Sequence, residues 1–431
     1  MTLVFRRSSF QMNRARLKTI LRSKLTANYF FYSLDYGLRI IVQFGYFAII
    51  SRSLGASGYG IFASISAISI LAGVFSGLGS EQVLIRRSAG DPAAFRSAFG
   101  HTLICIAGSI VPVSAIAFLI LQFMNTGGIA WWAVALFVVS ETLFTKLIYL
   151  ANACFMAHEI AGRQFVINIT TSSIKLAGAA LAWTFSHPLT LEIWSAWYFA
   201  SIGVGAAFAM VLVMWKLGTP RFAFFSGELR DGLQYGLEFA SVVALRDLDK
   251  PLVVETLGAE AGGLYTAAFR IVDTACIPVR ALLLATYTRY FSHAKTDTRA
   301  AVAFGFRILP LGLAISAVLG LCLLAFAWVV PLIIGPTYEK AVPIIQWFSI
   351  YPAIILLSGA GMDLLRSVGL LGPRLRITLV SIVTYLPLCW IGAVSAGTIG
   401  VTIARSVSQL LLAAMTWFTI VRHDHKDGKA G

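Results

Sequence analysis

Apolar runs of about 20 residues recur along the whole chain, each long enough to cross a hydrocarbon core of ~30 Å as a helix. Lipid offers no hydrogen bonds, so every backbone donor and acceptor in such a run must be satisfied within the segment, which makes the helix the spanning structure for this length. With 58% hydrophobic and 12% charged residues over 431 positions, and a mean hydropathy of +0.81, there is too much apolar surface for a soluble fold of ordinary composition. The five cysteines lie inside the apolar runs without C-x-x-C spacing and read as small buried side chains, not as disulfides or metal ligands. Residues 1–27 are basic and polar, and the apolar run after them is too long for a signal-peptide core, so no cleavable leader is expected.

The runs predict an all-α integral membrane protein with about twelve transmembrane helices. A basic cytoplasmic arm covers 1–27, a six-helix bundle 28–215, a cytoplasmic linker 216–231, a second six-helix bundle 232–421, and a cytoplasmic tail 422–431. Lys and Arg test that topology. With the N-terminus inside, 23 of the 34 fall in inside segments, nine within helices, and only Arg52 and Lys340 outside. The net charge of +15 therefore records topology and excludes nucleic acid as the expected partner. Anionic lipid remains a second reading for the arm.

The two bundles read as copies of one. Tyr32, Leu34, Asp35 and Tyr36 fall on Tyr235, Leu237, Glu238 and Phe239 at an offset of 203 residues, and Leu54-Gly55-Ala56 falls on Leu257-Gly258-Ala259. Arg86 lands on Arg289 at the same offset. Six helices per half is an even number, so both halves enter the membrane in the same direction. Such parallel repeats are related by an axis along the membrane normal, with the site between them.

Seventeen charges lie within the predicted helices. At ~2.5–3.5 kcal/mol each on insertion scales, they need a hydrated interior or one another. Asp35–Arg39 (i,i+4), and Arg270–Asp273 and Asp363–Arg366 (i,i+3), are spaced to neutralise themselves on one helix. Arg246, Asp247, Asp249 and Lys250 crowd ahead of Pro251, which predicts a kink or cavity wall. Lys175 and Arg405 have no acid on their own helices, and Arg280 is two turns from Asp273, so these three are read as unpartnered cations suited to an anion. No P-loop sequence occurs, the histidines form no metal-ligand pattern, and no cofactor or catalytic group is expected.

The run from Ile50 to Phe62, with Ser51-Arg52-Ser53-Leu54-Gly55-Ala56-Ser57-Gly58-Tyr59-Gly60 between, resembles the first loop of Wzx-type polysaccharide flippases. Gly77 to Arg87, Leu257 to Arg270 and Ile334 to Pro343 are similar to later parts of the same family. The resemblance implies a transporter of the multidrug/oligosaccharidyl-lipid/polysaccharide exporter superfamily in the bacterial inner membrane. It would flip a polyprenyl-pyrophosphate-linked oligosaccharide outward by alternating access, alongside membrane lipids and, downstream, a polysaccharide polymerase and chain-length regulator. Arg52 occupies the place of an arginine in the related lipid II flippase. The pyrophosphate ligands expected are Arg52, Lys175, Arg246, Lys250, Arg280 and Arg405, and the ion-coupling acids Asp35, Glu238 and Asp273. Two readings compete: a small-molecule exporter of the same fold, and a membrane polysaccharide polymerase or ligase, which would carry a large external loop where this chain has about a dozen residues near 331–342.

Overall fold

The computed structural model describes residues 24–427 apart from 125 and 295–297, and those residues are almost entirely helical. Most of the expected basic arm and the end of the tail lie outside the described residues. Eight stretches are long and apolar enough to cross a membrane. Two of them, Leu34–Phe75 and Gly372–His423, hold 42 and 52 residues, or roughly 60–80 Å at 1.5 Å per residue, twice what one crossing needs. Both belong to helices that are broken. The first helix, α1 (Lys24–Phe75), breaks at Gly55, whose φ of 65° only glycine adopts without strain. The last breaks at Ala396–Gly397. The expected loop at 51–60 is thus a one-residue turn. The expected spans 232–256 and 263–288 are not among the eight, because each is broken, at Leu248 and at Cys276, and carries charged residues.

After α1 the chain passes through Gly77-Leu78-Gly79, all at positive φ, into α2 (Ser80–Gly90) and then α3 (Phe95–Gln122). Next come α4 (Trp131–Val139) and α5 (Lys146–Ala157), which form one rod joined by a π-helical turn at Ser140–Thr145. Helices α6 (Ala161–Phe185) and α7 (Leu191–Leu217) complete the first half. The second half holds α8 (Leu229–Asp247), α9 (Asp249–Leu257), α10 (Ala259–Ala275), α11 (Ile277–Ala294) and α12 (Thr298–Phe326). Short turns at Val330–Ile334 and Pro336–Tyr338 fill the expected external loop. The chain ends with α13 (Ala341–Trp347), α14 (Tyr351–Ser367) and α15 (Leu371–Asp427). The kink predicted at Pro251 falls at Leu248, three residues earlier, because the proline ring crowds the carbonyl of residue i−4, which is Asp247.

One large core draws on both halves, from Tyr46, Phe47 and Ile50 to Tyr265, Val272, Tyr338 and Ile345. Smaller cores around Phe99 and Phe155, and around Tyr290 and Leu364, belong to one half each. Ile41, Val111, Trp215, Leu284 and Val383 are exposed, which suits a perimeter solvated by lipid tails. Of the cysteines, four are buried as expected and Cys322 is exposed on that perimeter.

Helix α1 packs on α10, α9 and α8 of the other half. At the Gly55 end the contact is reciprocal and made by backbone. A Cβ on Gly60 would lie 2.2 Å from the carbonyl oxygen of Ala259, and one on Gly263 would lie 1.8 Å from that of Ala56. At the other end, one flank is closed by Gly79 against Gly232 and by Arg86 paired with Glu228 and with Asp231 at 2.7 Å. Among the described residues, backbone contact between α11 and α1 is sparse.

Candidate functional site

Between the halves lies a cavity of about 460 Å³, walled by α1, the π-helical turn, α5, α6 and α7 on one side and by α8 to α10 on the other. A space of about 170 Å³ adjoins it at Arg39, Asn152, Asn168 and Lys175. The main cavity is lined by four cations, Lys175, Arg246, Lys250 and Arg270, and three acids, Glu141, Asp247 and Asp273. Tyr46, Tyr59, Phe62, Tyr149, Tyr198 and Phe269 supply its aromatic wall.

Pairing decides which of these charges are available. Asp247 is held by Arg246 at 2.9 Å and by Lys250. Asp273 is held by both terminal nitrogens of Arg280. Lys175 and Arg270 take part in no ion pair among the described residues. The Lys175 ammonium rests over the rings of Tyr46 and Tyr198, 5.1 and 5.0 Å from their centroids. Arg270 donates to the hydroxyl of Tyr59 across the interface between the halves, at 3.3 Å, and lies over the Phe47 ring. Glu141 is buried and accepts from the Tyr198 hydroxyl. The buried hydroxyls of Tyr46, Ser66 and Thr266, all on the wall, have no partner among the described residues. Two cations outside any ion pair, beside three unmet hydroxyls and the buried carboxyl of Glu141, leave this cavity with donors able to meet oxygen atoms.

Lys175, Arg246, Lys250 and Asp273, from the set expected on sequence, therefore meet at one cavity. Arg280 reaches it only through Asp273, and the pair expected between Arg270 and Asp273 is replaced by this one, made across the junction of α10 and α11 at Cys276. Arg405 does not line the cavity. It sits behind the wall, its side chain 2% exposed, bonded to Asp249 and donating to Tyr385 at 2.9 Å and to the Arg246 carbonyl at 3.2 Å. Its acid comes from another helix, which a search along its own helix misses. Arg52 is exposed at the Gly55 turn, against Gly335. Asp35 is buried outside the main cavity, 3.8 Å from Arg39 and accepting from Asn168. Glu238 is half-exposed and pairs with Arg374 at 3.1 Å.

Sequence reasoning gave Arg270 and Glu141 no role at the site. Arg270 was assigned to Asp273, and Glu141 is aimed by a π-helical turn that has no sequence signature.

The fold is similar to solved structures of multidrug-resistance MATE family transporters of the MOP superfamily. The inward-facing conformation of one has a TM-score of 0.73 and 14% identity, over 91% of this chain and 95% of that one. An outward-facing conformation gives 0.64 and 15%, over 95% and 98%. The bent form of the Vibrio cholerae MATE transporter VcmN gives 0.56 and 16%, over 92% and 98%. No family model matches the chain, and no curated protein matches it. The chain is an all-α, multi-pass membrane protein with the fold of MATE transporters.

Proposed function

We propose that the chain is a transporter that carries a polyprenyl-pyrophosphate-linked oligosaccharide from the inner to the outer leaflet of the bacterial inner membrane, for cell-surface polysaccharide synthesis. The observation that carries this reading is the pairing pattern of the cavity, in which Lys175 of the first half and Arg270 of the second face the same space without forming an ion pair. A pyrophosphate held there would contact both halves at once, so its binding would bias how they rock. The Gly55 end is taken as the outside, in accord with the distribution of Lys and Arg. On that assignment the reciprocal glycine contact closes the outer face, and the sparse flank between α1 and α11 leaves a side opening through which a polyprenyl tail can stay in lipid.

Reconstitution into liposomes with a labelled polyprenyl-pyrophosphate oligosaccharide tests the proposal. Protein-dependent movement of label between leaflets is expected, reduced at least tenfold by Lys175→Ala or Arg270→Ala. Movement that survives both substitutions discards the site. No movement with any glycan discards the cargo.

The second reading, export of a small molecule, is favoured by the aromatic wall and by a volume typical of small-ligand sites. Efflux of cationic dyes that is lost on Glu141→Gln would select it.

A further inference from the structure

The repeat extends well beyond the stretch in which it is visible as sequence. Phe95 and Thr298 begin helices 203 positions apart, Trp131 and Ala341 begin helices 210 apart, and so do Ala161 and Leu371. Leu191 begins α7, and the last arm of α15 resumes after Gly397, at an offset of 207. In this register Tyr46, Glu141, Lys175 and Tyr198 of the first half stand where Asp249, Tyr351, Tyr385 and Arg405 stand in the second. Each quartet holds one acid, one cation and two tyrosines.

The second quartet is closed on itself. Arg405 bonds Asp249 and donates to Tyr351 at 3.3 Å and Tyr385 at 2.9 Å, and its guanidinium covers the Phe269 ring at 3.7 Å. The first quartet has the same parts in an open arrangement. Tyr198 offers its hydroxyl to Glu141 and its ring face to Lys175, so acid and cation share one tyrosine without being in ion-pair contact. Arg405 is a planar fork fixed by its partners, whereas Lys175 is a point charge on a flexible four-carbon stem. From α1, α7 and α10, the groups facing Lys175 are Tyr46, Tyr198 and Arg270, and none of these can neutralise it.

We infer that Glu141 is the built-in counter-anion of Lys175, competing with the cargo for its ammonium and so determining how tightly the cavity holds an anion. The inference rests on the reading that the cargo is anionic. With cargo bound, Lys175 faces the phosphate oxygens. When cargo leaves, the lysine swings to Glu141 and makes in the first half the acid–cation pair that Arg405 and Asp249 make permanently in the second. The empty cavity then carries less unbalanced charge while the halves return.

Binding of inorganic pyrophosphate to the detergent-purified full chain, followed by calorimetry, tests this. Glu141→Gln should tighten binding about tenfold, and the gain should vanish in a Lys175→Gln background. Tyr198→Phe should act in the opposite direction, weakening binding several-fold, because a carboxylate freed of its hydroxyl partner takes the lysine more readily; this variant serves if Glu141→Gln does not fold. An unchanged or weaker affinity in folded Glu141→Gln, or a gain that persists without Lys175, overturns the inference. If pyrophosphate binds the wild type and is lost on Arg270→Gln while Glu141→Gln changes nothing, the anionic reading stands and this inference alone falls. If no variant binds pyrophosphate, both fall.

Discussion

Arg405 and Lys175 look alike on a sequence and act differently in the fold. Each is a cation in an apolar run with no acid in that run. Arg405 is enclosed by an acid, three ring faces and a backbone carbonyl, so its charge is matched where it lies. Removing it leaves Asp249, whose side chain is fully buried, without its counter-ion. Arg405→Leu should cost about 3–5 kcal/mol and appear as a lower melting temperature and poor recovery of folded protein. Lys175→Gln should cost roughly 1 kcal/mol, the scale of the ring contacts it gives up. A loss of transport in an Arg405 variant is therefore expected to follow its folded level. Positions of charge within helices were legible because charge is conspicuous in apolar runs. Partners were legible only within one helix, which is why Asp35–Arg39 was readable and Arg405–Asp249 was not.

At the level of elements, glycine and proline marked most of the breaks. Gly55 and Gly258, 203 positions apart, both take positive φ, and the turn they share was the clearest repeat in the sequence. Pro251 announced a kink and placed it a turn late, since the backbone it disturbs lies on its N-terminal side. The π-helical turn at Ser140–Thr145 announced nothing, because one extra residue in a helix is a matter of packing and not of residue type. The glycines also make a testable joint. A valine at Gly263 would drive its Cβ into the Ala56 carbonyl, a backbone atom that cannot turn aside. Gly263→Val should keep the halves apart at that end. A cysteine placed at Ser66 on the cavity wall, with the exposed Cys322 replaced by serine, should then react at least severalfold faster with an impermeant maleimide added outside. Equal rates would mean that this joint is not the outer gate.

For the molecule as a whole, the class of all-α membrane protein followed from the spacing of apolar runs. The cavity did not, because it belongs to neither half and exists only where α1, α6, α8 and α10 meet. If the cargo is anionic, its outward passage moves negative charge down an inside-negative potential, worth ~2.3 kcal/mol per charge per 100 mV. Net transfer in liposomes should accelerate when a potassium diffusion potential of that sign is imposed and slow when it is collapsed; indifference to voltage would argue for a neutral or fully compensated cargo. At the Gly55 end, Gly60 meets Ala259, and Gly263 meets Ala56, residues that correspond in pairs at the repeat offset. Two copies of one chain make that pattern when they associate about a two-fold axis, each presenting the same patch to the other. Within one chain the two halves need not stay chemically alike: the second half locks Arg405 to Asp249, while the first keeps Lys175 and Glu141 out of ion-pair contact.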